Sequence, residues 1–255
     1  MDADRRTDWP ASTASGPTVA FTVDLEPDCP PFLRGFRGIE EGLPSLLALL
    51  AARGVPATFF TTGEVAARYP AAVQSVVNAG HELGCHGMSH TAFTALDPRA
   101  AADEIDRSAD LLRAFAPVTS FRAPYLRFPD RYIGLVERAG FTVDSSQAKY
   151  KAAYYASRSR RMSEASPLRR IPASVTSSVL RLPRWVRTPY LSALASPVVL
   201  FVHPWEFVDL TAEPIRLDCR FKTGQPALAC VDQVLRWFQN RHARFAVMRD
   251  LRVRA

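Results

Sequence analysis

Two histidines four residues apart, His86 and His90, and three acids spaced two apart, Asp24, Glu26 and Asp28, are the residues best placed to do chemistry together. On one turn of a helix, histidines at i and i+4 point the same way and can share a metal ion. One carboxylate added to them makes a His₂–carboxylate set that leaves positions open for water and substrate. Asp24 and Glu26 alternate along a strand end, so both can face the same side. One could then bind metal while the other stays free as a general base. Asp28 is a third candidate in the same stretch. Plainer readings exist for all of them: surface or helix-capping histidines, and acids in a solvated loop. The His81-Glu82 pair is not a metalloprotease motif, because its next histidine, His86, comes five residues on rather than four.

These residues need elements to position them, and the chain supplies short apolar runs alternating with helical stretches. Strands are expected at Thr18–Asp24, Ala57–Thr62, His81–His86, Ser120–Ala123, Thr142–Asp144, Pro197–His203 and Phe245–Met248. Helices are expected at Glu40–Ala52, Val65–Ala79 (interrupted by Pro70), Arg99–Phe115, Arg131–Ala139 and Leu228–Arg241. Asp97-Pro98 reads as an N-cap followed by proline in the first turn, and Gly54 as a stop. Seven or eight such repeats imply a mainly parallel sheet, closed or nearly closed into a barrel. Polar clusters recur where the strands end: Asp24–Glu26, His86–His90, Arg122–Tyr125, Asp144–Ser146 and His203–Glu206. In a parallel barrel those ends converge on one face, where active sites lie.

Residues 149–195 break the rhythm, being rich in Ser, Arg and Pro. They read as a long excursion with one or two short strands, such as Ile171–Val179. Between Lys149 and Arg187 there are ten bases against the single acid Glu164, within a chain of net charge +7. Such a block attracts phosphate groups, nucleic acid or an anionic membrane surface, or is simply a solvated face. No nucleic-acid-binding motif accompanies it, so nucleic acid is the least favoured of these partners.

With 47% hydrophobic and 22% charged residues, the 255-residue chain can bury a core in one domain, which excludes a largely disordered protein. Residues 1–16 read as a solvated tail and 17–255 as the domain. The tail has no apolar run that would serve as a signal sequence, and no stretch is long enough to span a membrane; both point to the cytoplasm. Cys29, Cys85, Cys219 and Cys230 form no C-x-x-C pair, which fits a reducing compartment better than a disulfide scaffold.

Taken in order, the clusters resemble the polysaccharide deacetylase family, also called the NodB homology domain or carbohydrate esterase family 4, from about Thr18 to Phe245. Thr22-Val23-Asp24-Leu25-Glu26 resembles its first motif, T-F-D-D-G. His86-Gly87-Met88-Ser89-His90 resembles H-[ST]-x-x-H with Gly87 in place of the hydroxyl residue, and Arg122-Ala123-Pro124-Tyr125 matches R-x-P-[YF]. Asp144 stands at the fourth motif and His203 at the fifth. The stretches Gly38–Pro44, Thr62–Glu64 and His203–Phe207 resemble the peptidoglycan-deacetylase-like, exopolysaccharide-associated branch.

The resemblance implies a distorted (β/α)₇ barrel and a metal-dependent N-deacetylase acting on an amino sugar. It implies Asp24 as base, and His86, His90 and Glu26 as ligands of zinc, or of cobalt, nickel or iron; Leu25 stands where the family has its usual second Asp. Arg122 would pair with Asp24, the Tyr125 backbone N–H would stabilise the oxyanion, and Asp144 would orient His203, the donor to the leaving amine. Tyr125, Trp205 and Glu206 would contact substrate or support those that do; for Trp205, ordinary core packing is the plain alternative. The partner would be an N-acylated amino sugar or glycan, phosphate-bearing ones included. Rival readings are a deformylase of a lipid-linked formamido sugar, a cyclic amide or ureide hydrolase, and a carbohydrate-binding relative without catalysis.

Overall fold

The structure, a computed structural model, describes residues 15–157 and 168–252. The first fourteen residues of the expected tail, and Arg158, Arg160 and Arg161 of the basic block, lie outside them. Gly16, at the end of that expected tail, donates its N–H to the His242 carbonyl.

Eight strands run in chain order: β1 (Thr18–Leu25), β2 (Ala57–Thr61), β3 (Glu82–Cys85), β4 (Ser120–Phe121), β5 (Val143–Asp144), β6 (Arg169–Arg170), β7 (Val198–Val202) and β8 (Arg244–Phe245). All pair in parallel in the order β6-β5-β4-β3-β2-β1-β7, with β8 joined to the start of β1. Beyond β6 the chain reaches back to β7. Ser174 donates its N–H to the Val199 carbonyl at 2.8 Å, and its Oγ accepts from the Val199 N–H at 2.9 Å. The sheet thus curls round to a barrel-like (β/α)₇ form, as expected from the alternation.

Ten α-helices lie in the described part, besides short 3-10 turns: α1 (Leu43–Arg53), α2 (Gly63–Arg68), α3 (Pro70–Asn78), α4 (Pro98–Arg113), α5 (Ile133–Arg138), α6 (Ala152–Ser157), α7 (Ser177–Leu180), α8 (Arg184–Ser192), α9 (Leu217–Arg220) and α10 (Gln225–Gln239). A π-helical turn, Gly38–Gly42, leads into α1. Pro70 divides α2 from α3, because a proline at N1 starts a helix and cannot continue one. Asp97 caps α4, its carboxylate accepting from the N–H groups of Arg99 and Ala100 at 2.8 and 2.9 Å.

Strand β1 shows how the period of two makes the core and the site together. Val19, Phe21, Val23 and Leu25 pack in the large cluster with Leu43, Leu46 and Leu50 of α1, outside the sheet. Ala20 packs instead with Phe60, Val143 and Val199 inside the curl. Thr22 and Asp24 continue that inner row toward the strand's C-terminal end. Each buried Leu or Phe side chain contributes about 1.5–3 kcal/mol, which anchors the strands that carry the polar ends.

The excursion differs from the expectation. The strand lies at Arg169–Arg170 rather than Ile171–Val179, and Ser177–Leu180 is helical. The length Arg184–Ser192 is also helical despite Pro189 inside it. Among the described residues, no helix is long and apolar enough to cross a membrane.

Candidate active site

Three buried ionic groupings meet at the C-terminal strand ends. The first is Asp24 with Arg122. Arg122 is fully buried inside the curl, its guanidinium 4.2 Å from the Phe60 ring centroid. Nη1 donates to Asp24 Oδ1 at 2.6 Å and to Thr22 Oγ1 at 2.8 Å, and Nη2 donates to Ser145 Oγ at 3.0 Å. Asp24 Oδ1 is thereby engaged. Oδ2 faces two imidazoles, 4.0 Å from His86 Nε2 and 3.9 Å from His203 Nε2.

The second grouping is Glu26 with the two histidines. Glu26 Oε2 lies 2.6 Å from His90 Nε2 and 3.3 Å from His86 Nε2, and Trp205 Nε1 donates to Oε1 at 3.3 Å. Burial pushes the Glu26 carboxyl up, but His90, His203 and His86 outweigh it and hold it well below the usual range. His86 Nδ1 is bonded to the Arg122 carbonyl at 2.7 Å, which turns Nε2 toward Glu26. His86 Nε2 is buried without a well-aligned hydrogen bond among the described residues, an arrangement that a cation between these groups would relieve. One ligand atom from each of Glu26, His86 and His90 lies within 4.8 Å of the others, so the three could hold a metal ion.

The histidines do not share a helical turn. They flank a loop in which Gly87 and His90 have φ of 76° and 56°. That loop is pinned from both sides. Glu104 of α4 accepts from the N–H groups of Met88 and Ser89, at 2.8 and 3.0 Å. The N–H groups of Gly63 and Glu64 donate to the carbonyls of Gly87 and Met88, each at 2.9 Å. The Thr62–Glu64 stretch thus serves as the seat of the histidine loop.

The third grouping is His203 with Glu206. Glu206 Oε1 accepts from the His203 backbone N–H at 2.9 Å and lies 2.8 Å from Nδ1. Arg181 Nε is 3.3 Å from Glu206 Oε2. Burial works against the imidazolium of His203, yet Glu26, Glu206 and Asp24 outweigh it and raise its pKa to about 9. Burial would raise the Glu206 carboxyl, but Arg181 and His203 bring it below its ordinary value.

The expectation that Asp144 orients His203 is corrected here. Asp144 Oδ1 takes the Ser146 N–H at 3.0 Å and the Ser146 hydroxyl, and Oδ2 takes Arg170 Nε at 2.9 Å. Ser146 Oγ in turn accepts from the Ala123 N–H at 2.8 Å, so Asp144 braces the Arg122–Tyr125 turn. Glu206 lies only three residues from His203 on one tight turn and takes its Nδ1 instead. Asp28 is also placed elsewhere than beside the histidines: its two oxygens accept from the N–H groups of Arg37 and Gly38, at 2.9 and 2.8 Å.

A cavity of about 240 Å³ opens over these groups, lined among others by Asp24, Glu26, His90, Tyr125, His203 and Trp205. Tyr125 sits in a turn at φ 60°, its ring edge-on to His90 with centroids 4.7 Å apart. Trp205 stacks on His203 at 4.8 Å and is nearly buried, so it is both wall and packing. Arg181 and Tyr150, which also line the cavity, carry no motif in the sequence; Arg181 appears there only as one base of the Arg-rich block.

The curled parallel sheet carries a His–His–Glu cluster and an Asp–Arg pair at its C-terminal ends, the layout expected from the resemblance to carbohydrate esterase family 4. The polysaccharide deacetylase family model matches residues 11–143, just over half of the chain, and the protein belongs to that family. Peptidoglycan deacetylase of Helicobacter pylori is 33% identical over 116 residues, covering 44% of this chain and 39% of that protein. A peptidoglycan deacetylase-like protein of Gibberella zeae is 34% identical over 119 residues, 45% of this chain and 35% of the other. The match thus spans well under half the length of these two relatives. A family 4 carbohydrate esterase from Streptomyces lividans, solved with acetate, superposes with a TM-score of 0.62 at 18% identity, covering 91% of this chain and 93% of that one. A family 4 pseudoenzyme from Bacillus anthracis superposes at 0.63 and 15% identity, covering 93% and 66%. At such identity the likeness concerns the fold. The matched family region stops before Arg181, His203 and Glu206, which complete the site from the second half of the chain.

Proposed function

We propose that the protein is a metal-dependent N-deacetylase of an amino sugar within a glycan or glycan precursor. The observation that carries this reading is the meeting, at the floor of one cavity, of a Glu26–His86–His90 cluster, of which Glu26 and His90 line the cavity, with an arginine-held aspartate and a carboxylate-held histidine. Glu26, His86 and His90 would hold a divalent ion such as zinc, which would supply Lewis acidity and lower the pKa of a water molecule bound to it.

The chain's own groups divide the remaining work. Arg122 holds Asp24 Oδ1, so Oδ2 is the oxygen that accepts a proton from the attacking water. The Tyr125 backbone N–H donates to the oxyanion as the carbonyl becomes tetrahedral. His203 keeps a proton at Nε2 for the departing nitrogen, while Nδ1 is held by Glu206. Proton transfer by such positioned groups is worth about 10²–10⁴-fold each.

The test is acetate release from N-acetylglucosamine oligomers. Chelation should abolish it and added zinc restore it. Asp24→Asn should keep the metal but lower kcat by about 10²–10⁴-fold. Activity that survives complete metal removal would overturn the proposal. Formate released from a formamido sugar in place of acetate would move the reading to a deformylase.

A further inference from the structure

From the excursion at 149–195, Arg181 reaches in beside the His203–Glu206 pair. Arg181 follows α7 and is 1% exposed. Its Nη1 donates to the carbonyls of Cys219 and Phe221 at 3.0 and 2.6 Å, and its Nη2 to that of Asp218 at 2.8 Å. Those acceptors are neutral. Among the described residues, the carboxylate that meets its charge is Glu206, with Oε2 3.3 Å from Nε.

The two oxygens of Glu206 therefore divide their duties. Oε2 faces Arg181, and Oε1 faces the backbone N–H and Nδ1 of His203. Both Glu206 and Arg181 are buried. A buried carboxylate that loses its counter-charge is strongly disfavoured, and it responds by taking up a proton or by moving toward water. Either response removes the anchor that sets the His203 ring, because Trp205 stacked on that ring resists tilting but not a slide within its own plane.

We infer that Arg181 is a positioning residue: through Glu206 it fixes the His203 imidazole so that Nε2 faces the cavity. The inference rests on the reading of His203 as proton donor to the leaving nitrogen. It gives the Arg-rich excursion a part in the site that its exposed bases do not have. A merely structural role is the alternative, since the three carbonyl bonds also secure α9 and the cavity wall beside Cys219.

Two readouts separate these. In histidine-¹⁵N-labelled protein, the His203 Nδ1 proton held against Glu206 should resonate far downfield, assigned by its loss in His203→Ala. Arg181→Met should move that resonance upfield or broaden it away. It should also lower kcat about 10- to 100-fold with KM changed by no more than about twofold. Glu206→Gln combined with Arg181→Met should be no slower than Glu206→Gln alone, because both remove one restraint. An unmoved Nδ1 resonance in folded Arg181→Met overturns the inference, as do losses that multiply in the double variant. Should Arg181→Met fail to fold, Arg181→Gln keeps an amide donor for the carbonyls without the charge and is judged by the same two readouts. A wild-type protein that releases no acetate defeats the proposed function, and the resonance alone then decides the Arg181–Glu206–His203 linkage.

Discussion

At the scale of single residues, the acids of the site sort themselves by their counter-ions. Asp24 has Arg122, Glu206 has Arg181 and Asp144 has Arg170. Glu26 has no arginine among the described residues; it faces two imidazoles and an indole N–H. The acid without a permanent cation is the one suited to binding one. Glu26→Ala should therefore lose stoichiometric zinc, measured by metal analysis after dialysis. Asp28→Ala should keep its zinc and instead lose about 1–3 kcal/mol of stability in urea unfolding, because two backbone N–H groups lose a charged acceptor. Zinc lost from Asp28→Ala and retained by Glu26→Ala would reverse the assignment. This sorting was only partly legible in the sequence. Asp24, His86, His90, Arg122 and His203 stand in recognisable motifs. The partner of His203 was not fixed by them: Glu206 stands in the His203–Phe207 stretch and Asp144 at the fourth motif, and a carboxylate three residues away on a tight turn and one on a distant strand look equally available until the chain is folded.

At the scale of elements, the unassigned stretch Gly38–Pro44 turns out to support the His203–Phe207 turn. A Cβ on Gly42 would sit 2.1 Å from the Pro204 carbonyl oxygen, and one on Gly38 would sit 2.5 Å from the Trp205 nitrogen. Two glycines four apart let the π-helical turn lie directly on the backbone that carries Trp205 and Glu206. Gly42→Ala must push that turn away. A cost of about 1–3 kcal/mol in thermal or urea unfolding is expected. A fall in kcat should accompany it as His203 and Glu206 shift, while zinc content holds. Wild-type stability and kcat in Gly42→Ala would show that the contact is slack. The elements themselves were legible where apolar spacing was regular, as in α4 and β7. They were not legible where tertiary contacts decide. The five residues from His86 to His90 are spaced for a helical turn, but Glu104 and the backbone of Gly63 and Glu64 hold them as a loop. Helix α8 forms with Pro189 inside it, in a stretch whose Ser, Arg and Pro content shows no clear period.

At the scale of the whole molecule, the other end of the barrel contributes stability that depends on pH. His81 precedes β3, and its Nδ1 accepts from the Ala57 N–H at 3.3 Å, where β2 begins. Burial lowers its pKa from 6.5 to about 4, so the folded protein holds it neutral. Between those values the unfolded chain binds a proton that the folded chain does not. The stabilisation is therefore complete above pH 6.5 and is lost as pH falls toward 4, amounting to roughly 3 kcal/mol at most. With no ion at Glu26, whose charge is the main raising influence, His203 runs the other way: its raised pKa gives stability below pH 6.5 that is lost as pH climbs through about 9. The two effects occupy separate windows, so a single variant can isolate the first. His81→Gln keeps an acceptor for the Ala57 N–H but cannot titrate. Its urea-unfolding free energy should fall less than that of the wild type between pH 6.5 and 4.5, with acetate release at neutral pH left intact. Glu26 and Glu206, both held below the ordinary carboxylate range, contribute equally in both proteins and cancel in the comparison. Parallel pH curves for the two would mean that protonation of His81 does not oppose folding.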